Sequence, residues 1–185
     1  MNKTAKLLLI PAIIFTLVFG AWATARIIHS VNFSLNCSAY LKRAAEANTV
    51  EMAKVELANA LEYAEQNNLT EGVVSVFLRN PTNDIGFWYN NLKAAHTELD
   101  NLPEDASALE RTNVLMKLRE SLTDRSSSDG TKVVHPEGIS IYPHNVLYFW
   151  WGLISMIALG VSWTFFGGIV YENHLKRKKE AGEES

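Results

Sequence analysis

Five histidines are the residues of this chain best suited to metal binding or to proton transfer near neutral pH. They are His29, His96, His135, His144 and His174. No two of them stand four residues apart, the spacing that places two metal ligands on one helical face, and none begins a His-x-x-Glu pattern. His135 and His144 could converge with Glu137, but single polar residues in loops usually hold no ligand. We therefore predict no metal site and no cofactor.

Patterns for nucleophilic catalysis and for phosphate binding are also missing. None of the ten glycines forms a G-x-G-x-x-G or Walker pattern, and the carboxylates are scattered as on solvated helical faces. Cys37 is the only cysteine, so the chain cannot form an internal disulfide. We expect its thiol to be partly buried on a helix; the alternative is a disulfide between two chains. With no catalytic residue to name, the sequence predicts that the protein is not an enzyme.

Three consecutive aromatic residues mark the candidate interaction site. Phe87, Trp88 and Tyr89 lie in a segment that is predicted to be helical. Three successive residues fan over about 200° of a helix, so these rings cannot all point into one core. Trp88 belongs to the apolar stripe of the helix, whereas Phe87 and Tyr89 lie beside it. Either another helix covers these two rings, or they form an exposed patch for a ligand, a protein or a lipid surface.

The helix that carries these rings has the clearest periodicity in the chain. Asp84 is a candidate N-cap, and apolar residues then recur at spacings of three and four until Pro103. They are Ile85, Trp88, Leu92, Ala95, Leu99 and Leu102. Ser107 and Glu110 form a capping-box pattern, which predicts the start of the next helix.

The rest of the central region is also predicted to be helical. Residues 31–47 and 50–66 are rich in the helix formers Ala, Leu, Glu and Lys. The β-branched residues of 73–78 suit a strand, but their helical neighbours favour a short helix. Residues 132–142 predict a small β-hairpin around a Pro-Gly turn, or else an extended approach to the next segment. The predicted fold class is therefore mainly α, an antiparallel bundle of three to five helices at residues 29–144.

The charge of this central region excludes one class of partner. Residues 29–144 hold ten Lys and Arg against sixteen Asp and Glu, a local net charge of −6. Nucleic-acid binding requires a basic face that neutralises phosphates. We therefore expect no nucleic acid among the partners of this protein.

Two apolar segments, residues 7–28 and 145–171, flank the central region. No charged residue occurs from Leu147 to Tyr171. A helix of about 20 apolar residues is long enough to cross the hydrocarbon core of a bilayer. The sequence therefore predicts an integral membrane protein with two transmembrane helices.

The first apolar segment has a second interpretation. Lys3 and Lys6, an apolar stretch and two overlapping A-x-A patterns at residues 21–25 are typical of a cleaved signal peptide. Apolar character continues to Val31, however, and is broken only by Arg26. This length favours an uncleaved signal anchor.

Positive charge predicts the orientation of the two helices, because basic residues near a span favour the cytoplasmic side. The basic residues flank the outer ends of the spans and are Lys3, Lys6, Lys176, Arg177, Lys178 and Lys179. We therefore predict that residues 1–6 and 172–185 are cytoplasmic and that residues 29–144 form an extracytoplasmic domain. The predicted location is the cell membrane, inner or plasma, and cleavage of the first segment would leave the same sidedness.

Small residues recur at every fourth position in both predicted spans. They are Ala12, Thr16, Gly20 and Thr24 in the first span, and Gly160, Thr164 and Gly168 in the second. Small residues allow helix backbones to approach closely in lipid. These stripes are candidates for packing of the two spans on each other or on a partner.

The order of span, extracytoplasmic helices and span resembles the layout of helical-bundle bacterial receptors, such as chemoreceptors and sensor kinases. The 14 residues after Tyr171 leave no room for a signalling domain of that kind, so we expect any signal to pass through another membrane protein. We expect an accessory or scaffold subunit of an envelope complex, whose domain binds a protein. Its partners are then the lipid bilayer and another membrane protein or a second copy. The alternative is a small-ligand sensor domain, which an enclosed polar pocket near Trp88 would favour.

Overall fold

The computed structural model describes residues 3–124 and 132–183, and it divides the chain into two compact units. The first unit falls within Met1–Ile27 and Val146–Ser185, and the second is Ile28–Asn145. Most of the described residues are helical, and the mainly α class is confirmed. The α-helices of the described ranges are α1 (Lys3–Phe33), α2 (Ala39–Glu46), α3 (Val50–Gln66), α4 (Ile85–Asp100), α5 (Ala108–Leu122) and α6 (Asn145–Glu183).

Helices α1 and α2 are joined without a break. A π-helical turn, Ser34–Ser38, connects them, so that one helical rod runs from Lys3 to Glu46. Within residues 3–124 and 132–183, this rod and α6 are the two helices long and apolar enough to cross a membrane; their most apolar windows have mean hydropathies of 2.2 and 1.9. Both extend beyond the apolar segments, because their flanking residues are good helix formers.

The helix starts predicted at Asp84 and Ser107 are confirmed, and the structure adds a cap at Thr49. The Thr49 hydroxyl accepts a hydrogen bond from the Met52 amide, and the Asp84 carboxylate accepts one from the Phe87 amide at 2.9 Å. Ser107 begins α5 with the predicted capping box. In each case a side-chain oxygen satisfies one of the amides that a helix leaves unpaired at its first turn.

One apolar core holds the second unit together. Helix α3 packs against both α2 and α4, and α5 packs against α2. The stripe predicted for α4 faces this core, with Ala95 and Leu102 at its edge. Alanines on α2 and α3 let these helices lie close together. The larger buried side chains are Leu41, Leu57, Ile85, Trp88, Leu92, Leu99, Leu118, Leu122 and Ile139.

The β-hairpin predicted within residues 132–142 is wrong. Strand β2 (Lys132–Val133) instead pairs antiparallel with β1 (Thr123–Asp124), which directly follows α5. Ile139–Ile141 forms a 3₁₀ turn instead of a second strand, and the Tyr142 amide donates to the Ile139 carbonyl within this turn at 3.1 Å. The left-handed backbone of Gly138 precedes that turn.

The short helix predicted for residues 73–78 is also wrong. Val73 forms an isolated antiparallel bridge with Asp84, and the Val74 amide donates to the Asn83 carbonyl at 3.0 Å. Residues 74–83 therefore form a closed loop, which we call the 74–83 loop. Gly72 turns the chain into it at a φ of +100°, where the Tyr142 hydroxyl occupies the space that a side chain would need. A helix cannot continue through such a backbone conformation.

Candidate functional site

The structure separates the three aromatic residues that the sequence singles out. Trp88 is buried, and its indole N–H donates to the Val134 carbonyl at 3.1 Å. Tyr89 is buried as well, and its hydroxyl donates to the Glu65 carboxylate at 2.6 Å. That hydrogen bond, with some desolvation, raises the pKa of Tyr89. Only Phe87 remains exposed, at 66%.

Phe87 and Trp88 line a groove of about 370 Å³ on the surface of the second unit. Helix α4 forms one wall with these two rings and Leu92, and the end of α5 contributes Leu122. The opposite side is formed by residues 134–136, which follow β2. The lining is mostly apolar, with a few polar groups at its rim. A groove of this kind suits an apolar side chain or a small apolar molecule.

Of the residues opposite α4, sequence reasoning missed Val134 and Pro136 and considered His135 only as a possible metal ligand. Val134 reaches the groove because its amide donates to the Leu122 carbonyl at 2.9 Å, which continues the pairing of β1 and β2. The indole of Trp88 fixes the same residue from the other side. No periodic pattern relates 134 to 88, so only the tertiary structure brings these residues together.

His135 belongs to this groove and is partly buried. Its ring stands edge-on to Phe33, with centroids 5.1 Å apart. Burial lowers the pKa of His135, because the charged imidazolium loses its hydration. The imidazole is therefore neutral at neutral pH, and the groove wall on this side carries no charge.

The candidate metal ligands and the cysteine singled out in the sequence lie as follows in the described residues. Within residues 3–124 and 132–183, no group of three His, Cys, Asp or Glu side chains could hold a metal ion, and this includes the region of His135, Glu137 and His144. Cys37 is fully buried, and burial raises the pKa of its thiol to about 12. The sequence predicts a partly buried thiol on a helix; the structure buries it completely, in the π-helical turn Ser34–Ser38, and this position leaves no access for a disulfide to another chain.

In the first unit, α1 and α6 are joined by two indole hydrogen bonds. Trp22 donates to the Tyr148 carbonyl at 2.7 Å, and Trp163 donates to the Thr16 hydroxyl at 3.1 Å. Gly152 lies directly against the Trp22 ring, so that a side chain at this position would overlap the indole. Gly152 and Ser155 are buried, and sequence reasoning missed both. Their spacing of three was the only signal for them in the sequence.

Only two members of the predicted small-residue stripes, Ala12 and Thr16, take part in this packing. Ala12 is fully buried, and Thr16 takes part in the contact with Trp163. The remaining members are exposed, with open space around the three glycines. These exposed members are Gly20, Thr24, Gly160, Thr164 and Gly168. The stripe on α6 therefore does not face α1.

The basic residues predicted to set the topology occupy the two far ends of the long helices. Lys3 and Lys6 lie in the first turns of α1, and residues 176–179 lie near the end of α6. All of them are exposed. Their positions on the helices are those that the sequence predicted, and the sidedness inferred from them remains a prediction.

No protein-family model matches this chain, and neither a curated protein nor a solved structure matches it. Its function therefore has to be argued from its own residues. The groove beside Phe87 and the two apolar helices are the features that carry this argument.

Proposed function

We propose that this chain is a non-enzymatic membrane protein whose extracytoplasmic helical domain, residues 29–144, binds another protein. In this role it is an accessory or scaffold subunit of an envelope complex. The observation that carries the proposal is the apolar groove beside Phe87. A phenylalanine ring exposed to 66% at the rim of a mostly apolar groove suits a hydrophobic contact with a partner.

Membrane insertion is supported by the surfaces of α1 and α6. Large apolar side chains point outward along both helices, among them Leu7, Leu17, Ile154 and Phe165. Exposure of such a surface to water is unfavourable in free energy, whereas contact with the hydrocarbon chains of lipids is favourable. The first helix stays attached in this proposal, because it continues unbroken through residues 21–25 into the rod that supplies Phe33 and Leu41 to the core.

The proposed orientation rests on charge. The basic residues cluster at the ends of α1 and α6 that lie away from residues 29–144, and this favours cytoplasmic termini in the cell membrane. Aromatic residues support the same placement. Trp150 and Trp151 lie near the start of the second span and Tyr171 near its end, which are the depths of the bilayer interfaces.

Substitution of Phe87 by Ser tests the proposal. The full chain, tagged at its C-terminus, is solubilised from native membranes in mild detergent, and bound proteins are identified. We expect F87S to lose a protein that the unchanged chain retains, because the ring supplies the exposed apolar contact. Leu109→Ser is the matched control, since Leu109 is similarly exposed, at 70%, and does not line the groove.

Circular dichroism of both variants shows whether the helical fold is kept. Retention of the same proteins by F87S would contradict a role of the groove in binding. A chain that purifies alone and monomeric at its natural expression level would contradict the scaffold function as a whole.

A small-ligand sensor is the second candidate, because the groove volume of about 370 Å³ falls within the range of small-molecule sites. The groove differs from the enclosed polar pocket that would favour a sensor most, since its lining is mainly apolar. The purified chain distinguishes the two functions. A sensor would gain thermal stability from a small apolar ligand without a partner present, and F87S would abolish that gain.

A further inference from the structure

The most exposed large apolar side chain of the described residues belongs to the 74–83 loop. Leu78 is 81% exposed, and Phe77 beside it is 67% exposed. The loop is held at its base, where Val73 bridges Asp84, so these two residues are presented at its tip. An apolar side chain as exposed as that of Leu78, held at the tip of a fixed loop, is suited to contact with an apolar surface.

The path of the helices places this loop at the end of the domain where the chain enters. The helical rod enters the domain at Ile28 and ends at Glu46, so its part within the domain is roughly 27 Å long. Helix α3 then runs in the opposite direction over a similar length. The ring of Tyr63, near the end of α3, lies against Phe33 with centroids 6.1 Å apart. The loop that follows α3 therefore begins close to the level of Phe33.

The exit of the chain lies at the same end. The Asn145 amide group donates to the Val74 carbonyl, and Tyr142 packs against Gly72. Asn145 is the first residue of α6 and lies two residues before the uncharged segment that begins at Leu147. From Val74, four residues of extended chain reach about 13 Å. The tip is thus within reach of the level at which the proposed second span begins.

The charge of the loop differs from that of its domain. Residues 74–83 contain Arg79 and no acidic residue, whereas the domain as a whole carries a net charge of −6. Arg79 directly follows the apolar pair and is exposed. Phenylalanine and leucine beside one arginine match the layers of a bilayer interface, with acyl chains below and phosphate groups above.

We propose that the tip of the 74–83 loop inserts into the outer lipid surface, with Phe77 and Leu78 among the acyl chains and Arg79 at anionic headgroups. This inference rests on the proposed membrane topology. The loop is then a third membrane contact of the domain, besides its two connections to the spans.

A fluorescent probe on the loop tests the proposal. Leu78→Cys is labelled with an environment-sensitive dye in the full chain, which is then reconstituted into vesicles of phosphatidylcholine and phosphatidylglycerol. The native Cys37 is buried and does not compete for the dye. Leu109→Cys is the matched control: Arg111 near it contacts Glu51 at the start of α3, which places it at the far end of the domain.

We expect the dye at 78 to be quenched by nitroxide lipids labelled near the headgroup and to be several-fold less sensitive to aqueous iodide than the dye at 109. An additional Arg79→Gln substitution should reduce the lipid quenching in vesicles with phosphatidylglycerol and not in vesicles of phosphatidylcholine alone. Iodide sensitivity equal to that of the control would overturn the proposal. Shielding from iodide without lipid quenching would also overturn it, because a protein contact would then cover the tip.

Extraction of the same vesicles at alkaline pH separates this proposal from the membrane topology. Loss of the chain from the vesicles would show that the two helices do not span the bilayer, and both proposals would fail. If the chain remains in the vesicles but the dye at position 78 is exposed to water, the proposed membrane topology is kept and only the proposed loop contact is contradicted.

Discussion

At the scale of single residues, burial decides the chemistry of Cys37. Its sulfur lies 3.9 Å from the Ala60 carbonyl oxygen, inside the contact of the helical rod with α3. The thiolate is the reactive form of cysteine, and a pKa of about 12 leaves almost none of it at neutral pH. The only cysteine of the chain is therefore a packing residue.

We predict that a maleimide does not label Cys37 in the folded protein and labels it fully after denaturation. The measurement is the mass of the protein before and after treatment, and the exposed Leu109→Cys variant serves as a positive control for the reagent. Rapid labelling of the native chain, or a disulfide-linked dimer on a non-reducing gel, would contradict the buried position.

His135 gives the second unit a specific sensitivity to acid. In the unfolded chain its pKa has the ordinary value of 6.5, whereas burial lowers it in the folded state. As the pH falls below about 6.5, the unfolded state takes up a proton before the folded state does. Stability is therefore lost from this pH downward until the pH passes the lower pKa of the folded state.

We predict that the melting temperature of the full chain falls between about pH 7 and pH 5, and that His135→Gln makes this fall shallower. The slope against pH is compared, because the substitution also changes packing against Phe33 at every pH. His144→Gln, at an exposed position, should keep the slope of the unchanged protein. An unchanged slope in H135Q would assign the acid sensitivity to other groups.

At the scale of secondary-structure elements, local signals place the helix starts correctly. Ser107 and Glu110 satisfy two free amides reciprocally at the start of α5, and the hydrogen bonds from Ser107 lower the pKa of Glu110. These interactions join residues three apart, so a pattern in the sequence is enough to find them.

We predict that Ser107→Ala lowers the free energy of unfolding by about 1 kcal/mol, because an amide at the start of α5 loses its acceptor. Chemical denaturation of the full chain measures the change. Thr112→Ala, within the same helix, is the control: its hydroxyl bonds the Ala108 carbonyl, which helix formation does not require. A loss of similar size in both variants would show that the cap contributes nothing of its own.

Residues 73–78 show where local signals fail at this scale. Their β-branched composition suits a strand and their helical neighbours favour a short helix, whereas the structure forms a loop there. The outcome depends on Gly72, whose left-handed backbone is packed under Tyr142, and on the bridge of Val73 to Asp84. Both contacts join residues distant in sequence, which a local pattern cannot contain.

At the scale of the whole molecule, the proposed orientation depends on a charge asymmetry. Basic residues lie at both ends of the described chain, and the region between the two apolar segments is acidic. The positive-inside rule counts lysine and arginine near a span and gives acidic residues little weight. The four basic residues at 176–179 make the largest single contribution to this charge asymmetry.

We predict that replacing the four basic residues at 176–179 by Gln lowers the fraction of molecules with a cytoplasmic C-terminus. Protease protection of a C-terminal tag in sealed vesicles of known sidedness measures this fraction. Glu172→Gln is the control and should leave it unchanged. If the basic variant keeps the orientation of the unchanged chain, the charge at Lys3 and Lys6 or the folding of the domain would have to determine it.

The sequence by itself determined the mainly helical class, the caps at Asp84 and Ser107, the apolar stripe of α4 and the two apolar helices. Each of these depends on the order of neighbouring residues along a helix. The tertiary structure alone decided that Tyr89 is buried and Phe87 exposed, that Val134 lies in the groove wall opposite Trp88, and that Gly152 packs against Trp22. These outcomes depend on which distant segments meet, because a helix has several faces and packing selects the ones that are buried.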